Sequence, residues 1–499
     1  MSDTLTELNR RLAEISDLHT AARLLDWDQM VMMPRGGAGV RAEHIATVRR
    51  LAHELFIRDE IGTLLVELED YADSLPADHD DACLIRITRH DWDKARRVPP
   101  ELEAELSRVS SESMEVWAEA RTASDYAAFR PWLDRTLELK QRYLACFDAG
   151  NDPYDVFLDD FEPRMQTAEV RTVFERLKPE LVELLAAADT SDAEPFVHGR
   201  YPKGPQEALS FELMRAFGGT ERSFRLDPTV HPFCTSFGTQ DIRLTTRYVE
   251  DDLHGTSLFS TMHEAGHGVY EHGVSASLER TPLASGCSSA LHESQSRLWE
   301  NVIGRSLPFW RWFYPRVQDA FPETLRDVSL GRFHREINRA QPSYIRVDAD
   351  ETTYGLHIIL RFELEQDLLF GGLSTADLPD AWNTRFEESF GISVPEDRLG
   401  CLQDVHWSAG LFGYFPTYQL GNVLSVQIWE RLLADLPDAY EKIERGDFGE
   451  IHGWLRETLY RHGRKFTPAE TIERVAGGPI DPEPYLRYLR DKSASLAAV

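Results

Sequence analysis

The chain has 499 residues, 42% hydrophobic and 28% charged, a balance that supports a large packed core and argues against extended disorder. Its formal net charge of −30 gives a surface that repels phosphate backbones, which argues against nucleic acid as a partner. The five cysteines (Cys83, Cys146, Cys234, Cys287 and Cys401) are scattered and form no CxxC pair, so neither a disulfide framework nor a cysteine metal site is expected, and a reducing, cytoplasmic location is.

From the N-terminus, Met1-Ser2-Asp3-Thr4-Leu5 lacks the basic and apolar runs of a signal peptide. No stretch approaches 18 consecutive apolar residues, so no membrane span is expected. Leu5, Leu8, Leu12, Ile15 and Leu18 recur at helical steps. Leu102, Leu106, Val109, Val116 and Ala120 do so again behind Pro99 and Pro100, which suit a helix start. A third helix is predicted between Thr167 and Ala188, with Val170, Phe174, Leu177, Leu181 and Leu185 on one stripe. Asp189 to Pro205, rich in Asp, Ser, Pro and Gly, reads as an exposed loop. It is the one seam in an otherwise single domain over 1–499, separating an N-terminal helical half (1–188) from a catalytic half (206–499). Asp241 to Tyr248 alternates and is rich in β-branched residues, so it predicts a strand, with Phe224 to Thr235 as its partner. From about Ser285 onward the helical period returns. The fold class is all-α, with one small β-sheet just ahead of a histidine motif.

That motif is His263-Glu264-Ala265-Gly266-His267. On a helix, residues four apart share a face, so both imidazoles can reach one metal ion. Glu264, next to the first of them, can act as general base toward a water activated by the metal. Zinc suits such a site because it takes nitrogen and oxygen ligands and leaves a position open; cobalt or manganese could take its place. A third ligand is required. A histidine six residues after His267 would serve, but that position is Gly273. A glutamate on a later helix is the other solution, and Glu293 follows His292 in Leu291-His292-Glu293-Ser294-Gln295. Ser275 to Ser289 is rich in Ser, Gly and Pro and can turn the chain so that Glu293 faces the histidines. The plainer alternatives are two packing histidines and a surface carboxylate, or a helical scaffold that holds zinc for structure alone. A base beside the ligand speaks against the last, since a structural site has no use for one.

Several further blocks resemble the carboxypeptidase Taq-type zinc metallocarboxypeptidases. His231-Pro232-Phe233, Asp241-Ile242-Arg243-Leu244-Thr245, the HExxH segment, His292-Glu293-Ser294-Gln295, Ile345-Arg346-Val347-Asp348-Ala349-Asp350 and Gly400-Cys401-Leu402-Gln403-Asp404-Val405-His406-Trp407 match the family's elements in order. The resemblance implies a saddle-like helical fold with a deep groove, removal of single residues from peptides with a free C-terminus, a divalent metal held by His263, His267 and Glu293, and a homodimer. It points to Arg346 as the cation for the substrate carboxylate, a task that suits a guanidinium fork. His406 and Tyr414 are candidate donors to the oxyanion, with Tyr418 as rival to Tyr414. His231 and Arg243 are candidate substrate contacts near the strand, and for Arg243 a structural salt bridge is the equal alternative. Asp348, Asp350, Gln403 and Asp404 are candidates for orienting ligands, whereas Cys287 and Cys401 read as small core residues. An oligopeptidase or endopeptidase on the same metal is the competing enzyme.

Overall fold

The computed structural model describes residues 2–148, 150, 152–188 and 192–497. It is mainly helical with a single three-stranded sheet, as its sequence predicts. The three N-terminal stripes become helices Ser2–Val31, Pro100–Ala123 and Thr167–Ala186. Pro100 occupies the first turn of the second, where its missing N–H costs no helical bond. In the third, Val170, Phe174, Leu177, Leu181 and Leu185 are all buried. No described helix is long and apolar enough to cross a membrane.

The described chain forms two compact units that interleave along the sequence. Unit 1 comprises 1–96, 193–337 and 428–479, and unit 2 comprises 97–192, 338–427 and 480–499. One of the crossings, at 192/193, falls within the segment 189–205. Asp189 to Ser191 lie outside the described residues. The rest of that segment is not the exposed loop expected. Phe196, Val197 and Tyr201 are buried, and the Tyr201 hydroxyl donates to the Phe196 carbonyl at 2.5 Å. Polar composition masked three apolar anchors.

In unit 1 the sheet order is β1 (Phe224–Pro228), β3 (Ile242–Thr246), β2 (Cys234–Ser236), with β3 parallel to β1 and antiparallel to β2. The predicted partner segment is therefore two strands flanking a central β3. The helix carrying the histidine motif, Ser257–Gly273, lies directly on this sheet. A Cβ at Gly268 would come within 2.8–3.1 Å of Leu244, Phe224 and Ile242. Its other side meets helix Ser289–Arg297, where a Cβ at Gly266 would sit 2.5 Å from the Gln295 carbonyl oxygen. Two glycines thus let backbone approach on both faces of the motif helix.

Unit 2 is built on helix Glu351–Phe370, which packs against helices Thr167–Ala186 and Leu378–Phe390. Asp350 caps its start by accepting from the Thr352 and Thr353 N–H groups at 2.8 and 3.1 Å. The helix is apolar on most sides and almost wholly buried.

Candidate metal centre and catalytic residues

The helical step brings His263 and His267 to one face, and Glu293 reaches them from the next helix. One ligand atom from each lies within 4.8 Å of the others. Glu293 Oε2 stands 3.7 Å from His263 Nε2 and 3.4 Å from His267 Nε2. Ligands about 2.1 Å from a tetrahedral ion are roughly 3.4 Å apart, so these spacings fit one. Glu293 is itself fixed. Its Oε1 accepts from Arg297 Nε at 2.7 Å and its Oε2 from the Ser296 hydroxyl at 3.0 Å.

Each histidine turns its other nitrogen away from this point. His263 Nδ1 lies 2.9 Å from Glu300 Oε2. Glu300 sits in a π-helical turn, Leu298–Ile303, and Arg297 and Arg305 both donate to it at 3.4 Å. His267 Nδ1 lies 2.6 Å from His292 Nδ1, whose Nε2 lies 2.9 Å from Glu271 Oε1. Both Nε2 atoms therefore face Glu293.

The electrostatics favour a cation here. Burial works against charge, yet Glu293 and Glu300 hold the buried His263 up at about 9. Although burial also opposes it, Arg297 and the two histidines keep the Glu293 carboxyl well below the usual range, and His263 with Arg297 brings Glu300 down to about 2. Burial lowers His267 to about 4, leaving its imidazole neutral and able to ligate. Burial raises Glu264, 6% exposed, to about 7 against the pull of His263, and a divalent ion's charge acts in the opposite direction. Two imidazoles, with His263 giving up its proton when an ion takes its place, and a carboxylate are a donor set for a divalent transition metal.

A second polar cluster belongs to unit 2. Arg346, 5% exposed, donates through Nε and Nη2 to Asp404 Oδ1 at 3.0 and 2.8 Å, and through Nη1 to the Tyr354 hydroxyl at 2.8 Å. Gln403 Oε1 accepts from the Arg346 backbone N–H at 2.9 Å. The fully buried Arg361 donates through Nε to Asp404 Oδ2 at 2.7 Å. Two guanidiniums thus share one carboxylate, and an N–H remains on each of Arg346 Nη1 and Nη2. Tyr418 lies beneath the Arg346 guanidinium, 4.8 Å from its ring centre. The Tyr418 hydroxyl is 3.1 Å from His406 Nε2, and the Tyr414 ring stands edge-on to Tyr418 at 5.2 Å. Tyr418 is on helix Phe415–Asp435, whereas Tyr414 immediately precedes it.

The remaining sequence candidates divide. Arg243 pairs with Asp241 through both Nε and Nη2, and its guanidinium lies over Trp27 and Phe237. This is the salt-bridge arrangement. His231 is exposed between β1 and β2, and Thr245 ties that loop to β3 by exchanging hydrogen bonds with the Phe233 backbone at 2.7 and 2.9 Å. Asp350 is a helix cap and Asp348 is exposed. Cys287 and Cys401 are buried. Glu300, Glu271, Arg297, Arg305 and Arg361 were not singled out from the sequence. Glu271 lies one turn after His267 and Glu300 two turns after Glu293, spacings that carry some signal once the ligands are known.

A helix with two histidines one turn apart, a glutamate between them in sequence, and a second glutamate delivered from the following helix define a metallopeptidase. The family profile described as carboxypeptidase Taq (M32) metallopeptidase matches residues 7–493, and the chain belongs to that family. It is 39% identical to thermostable carboxypeptidase 1 of Thermus thermophilus over 99% of this chain and 98% of that one, and 35% identical to carboxypeptidase 1 of Bacillus subtilis over 97% of each. The M32 carboxypeptidase of Deinococcus radiodurans matches the whole fold with a TM-score of 0.95 at 39% identity, both chains fully covered. The Pyrococcus furiosus carboxypeptidase gives 0.93 at 33% identity over 99% of each chain. The protein is accordingly a metallocarboxypeptidase.

Proposed function

We propose that the protein is a zinc-dependent carboxypeptidase that releases single amino acids, with broad side-chain tolerance, from peptides with a free C-terminus. The observation that carries the hydrolytic reading is the convergence of His263, His267 and Glu293 beside the buried Glu264. These three side chains would hold the ion. Zinc, or cobalt or manganese in its place, supplies Lewis acidity toward a water molecule and the scissile carbonyl. Glu264 takes the proton of the attacking water and returns it to the leaving amine. His406 and the hydroxyl of Tyr418, tied to one another, or Tyr414 beside them, donate to the developing oxyanion.

The exopeptidase part rests on charge. Asp404 neutralises only one of Arg346 and Arg361, and an N–H remains on each terminal nitrogen of Arg346. A substrate carboxylate would supply the missing negative charge in a paired geometry. His231 is kept as a substrate contact on the strength of its exposure. An extended peptide would pair with an edge strand, β1 or β2, and not with β3, because β3 occupies the centre of the sheet.

The competing reading, an oligopeptidase, is favoured by one observation. Asp404 already occupies one edge of the Arg346 fork, as it would if that arginine were purely structural. Mass spectrometry of a mixed peptide pool incubated with zinc-loaded protein separates the two. A ladder losing one residue at a time from free C-termini, with amidated peptides untouched, is expected; internal fragments would instead establish the oligopeptidase. We extend the proposal to a cytoplasmic homodimer, on the scattered cysteines without a CxxC pair and on the family resemblance respectively, and light scattering in solution measures the second.

A further inference from the structure

The HESQ element contributes Glu293 to the metal, which leaves its histidine unexplained. We propose that His292 and Glu271 are positioning residues that fix His267 in the one tautomer able to ligate. The inference rests on reading His263, His267 and Glu293 as ligands.

Proton positions follow from the carboxylate inward. Glu271 Oε1 accepts from His292 Nε2 at 2.9 Å and from the Gly286 N–H at 3.3 Å, and Oε2 accepts from the Ser236 hydroxyl at 2.8 Å. A carboxylate bonded in this way is an acceptor, so His292 Nε2 carries the proton. That leaves His292 Nδ1, 2.6 Å from His267 Nδ1, to complete the chain. Two ring nitrogens at that distance need one proton between them, and ligation through His267 Nε2 requires that it sit on His267 Nδ1. Its remaining lone pair is on Nε2, which stands 3.4 Å from Glu293 Oε2. If the chain ran in reverse, His267 would carry its proton on Nε2 and could not ligate. The rings cannot swing out of register. His292 packs on Tyr270 with ring centres 5.2 Å apart, and a Cβ at Gly286 would lie 2.9 Å from His292 Cδ2. His263 needs no such intermediary, since Glu300 meets its Nδ1 directly. The two ligands are therefore oriented by different devices, and the histidine relay belongs to His267 alone.

The test uses the full chain and Co2+ as the probe, reading affinity by competition with a chelator and ligand geometry by the visible absorption of bound cobalt. His292→Phe keeps a ring against Tyr270 but removes the acceptor. Affinity should fall by about 10–100-fold and the cobalt bands should change. His292→Asn places its Oδ1 close to where Nδ1 was, so it should recover most of the affinity, with a metal-free unfolding temperature no higher than that of the phenylalanine variant. Glu271→Gln should weaken binding in the same direction and serves if the phenylalanine variant does not fold. Wild-type affinity in His292→Phe, or equal losses in the phenylalanine and asparagine variants, would overturn the relay. His263→Ala distinguishes the underlying reading: it should lose Co2+ binding, and if it binds like the parent the ligand assignment itself fails.

Discussion

Glu264 sits in a crowded field of charge, with His263, Glu293 and Glu300 all acting on it. Glutamine at this position keeps the shape and removes the base, so Glu264→Gln should leave Co2+ or Zn2+ affinity near that of the parent while turnover falls by about 10²–10⁴-fold. Chelator competition and single-turnover hydrolysis measure the two quantities; retained turnover would remove Glu264 from its role. Arg346 tests a different kind of dependence. Lysine can still pair with Asp404 but presents one point charge instead of two paired N–H groups. Arg346→Lys should lower kcat/KM for free-acid peptides by about 10²-fold, mostly through KM. A variant that cleaves free and amidated peptides as the parent does would leave Arg346 a structural partner of Asp404. At this scale the motif histidines were legible because a four-residue step has geometric meaning before any fold is known. Glu293 was legible because a third donor was required. Glu300 and Glu271 were not, since they are two among 84 acidic residues and acquire meaning only against a folded neighbour.

Among elements, the pair that matters is the motif helix and the one that follows it. Their backbones meet at Gly266, between the two histidines, where a methyl group would sit 2.5 Å from the Gln295 carbonyl oxygen and 2.7 Å from Ser296 Cα. Those atoms are backbone and cannot swing aside. Gly266→Ala must push the second helix outward, carrying Glu293 with it. A loss of stability of about 1–3 kcal/mol is expected from overpacking, together with weaker metal binding, because a ligand distance set to tenths of an ångström is disturbed. Denaturant titration of the metal-free protein and chelator competition check both; unchanged affinity would show that the helices can part without moving Glu293. The helical stripes were legible because a buried face repeats every three to four residues. The sheet was legible only in part. The alternating segment marks β3, but its central place and its two partners depend on pairing over 6–18 residues, which alternation does not encode. The π-helical turn that carries Glu300 had no sequence signal, because the extra residue in a turn leaves the apolar pattern almost unchanged.

For the molecule as a whole, the units differ in what they owe to the metal. All three proposed ligands belong to unit 1, and all fall in a stretch of 31 residues from His263 to Glu293 within its middle segment. An ion bound there tethers two helices across the loop from Ser275 to Ser288, and it binds only conformations in which both helices are in place. By mass action, metal at 100 times its dissociation constant stabilises those conformations by about 2.7 kcal/mol, a factor of roughly 100. Backbone amides in 257–303 that exchange through opening of this helix pair should therefore slow by up to about that factor when Zn2+ is added. Amides of helix Glu351–Phe370, in unit 2 and without a ligand, should exchange at the same rate with and without metal. Hydrogen exchange read by mass spectrometry resolves both segments in one experiment. Glu264→Gln should retain the effect and His263→Ala should abolish it, which ties protection to ligation and not to turnover. Equal slowing in both segments would mean that the units open as one cooperative body, whereas no slowing in 257–303 would mean that the three side chains do not hold the ion.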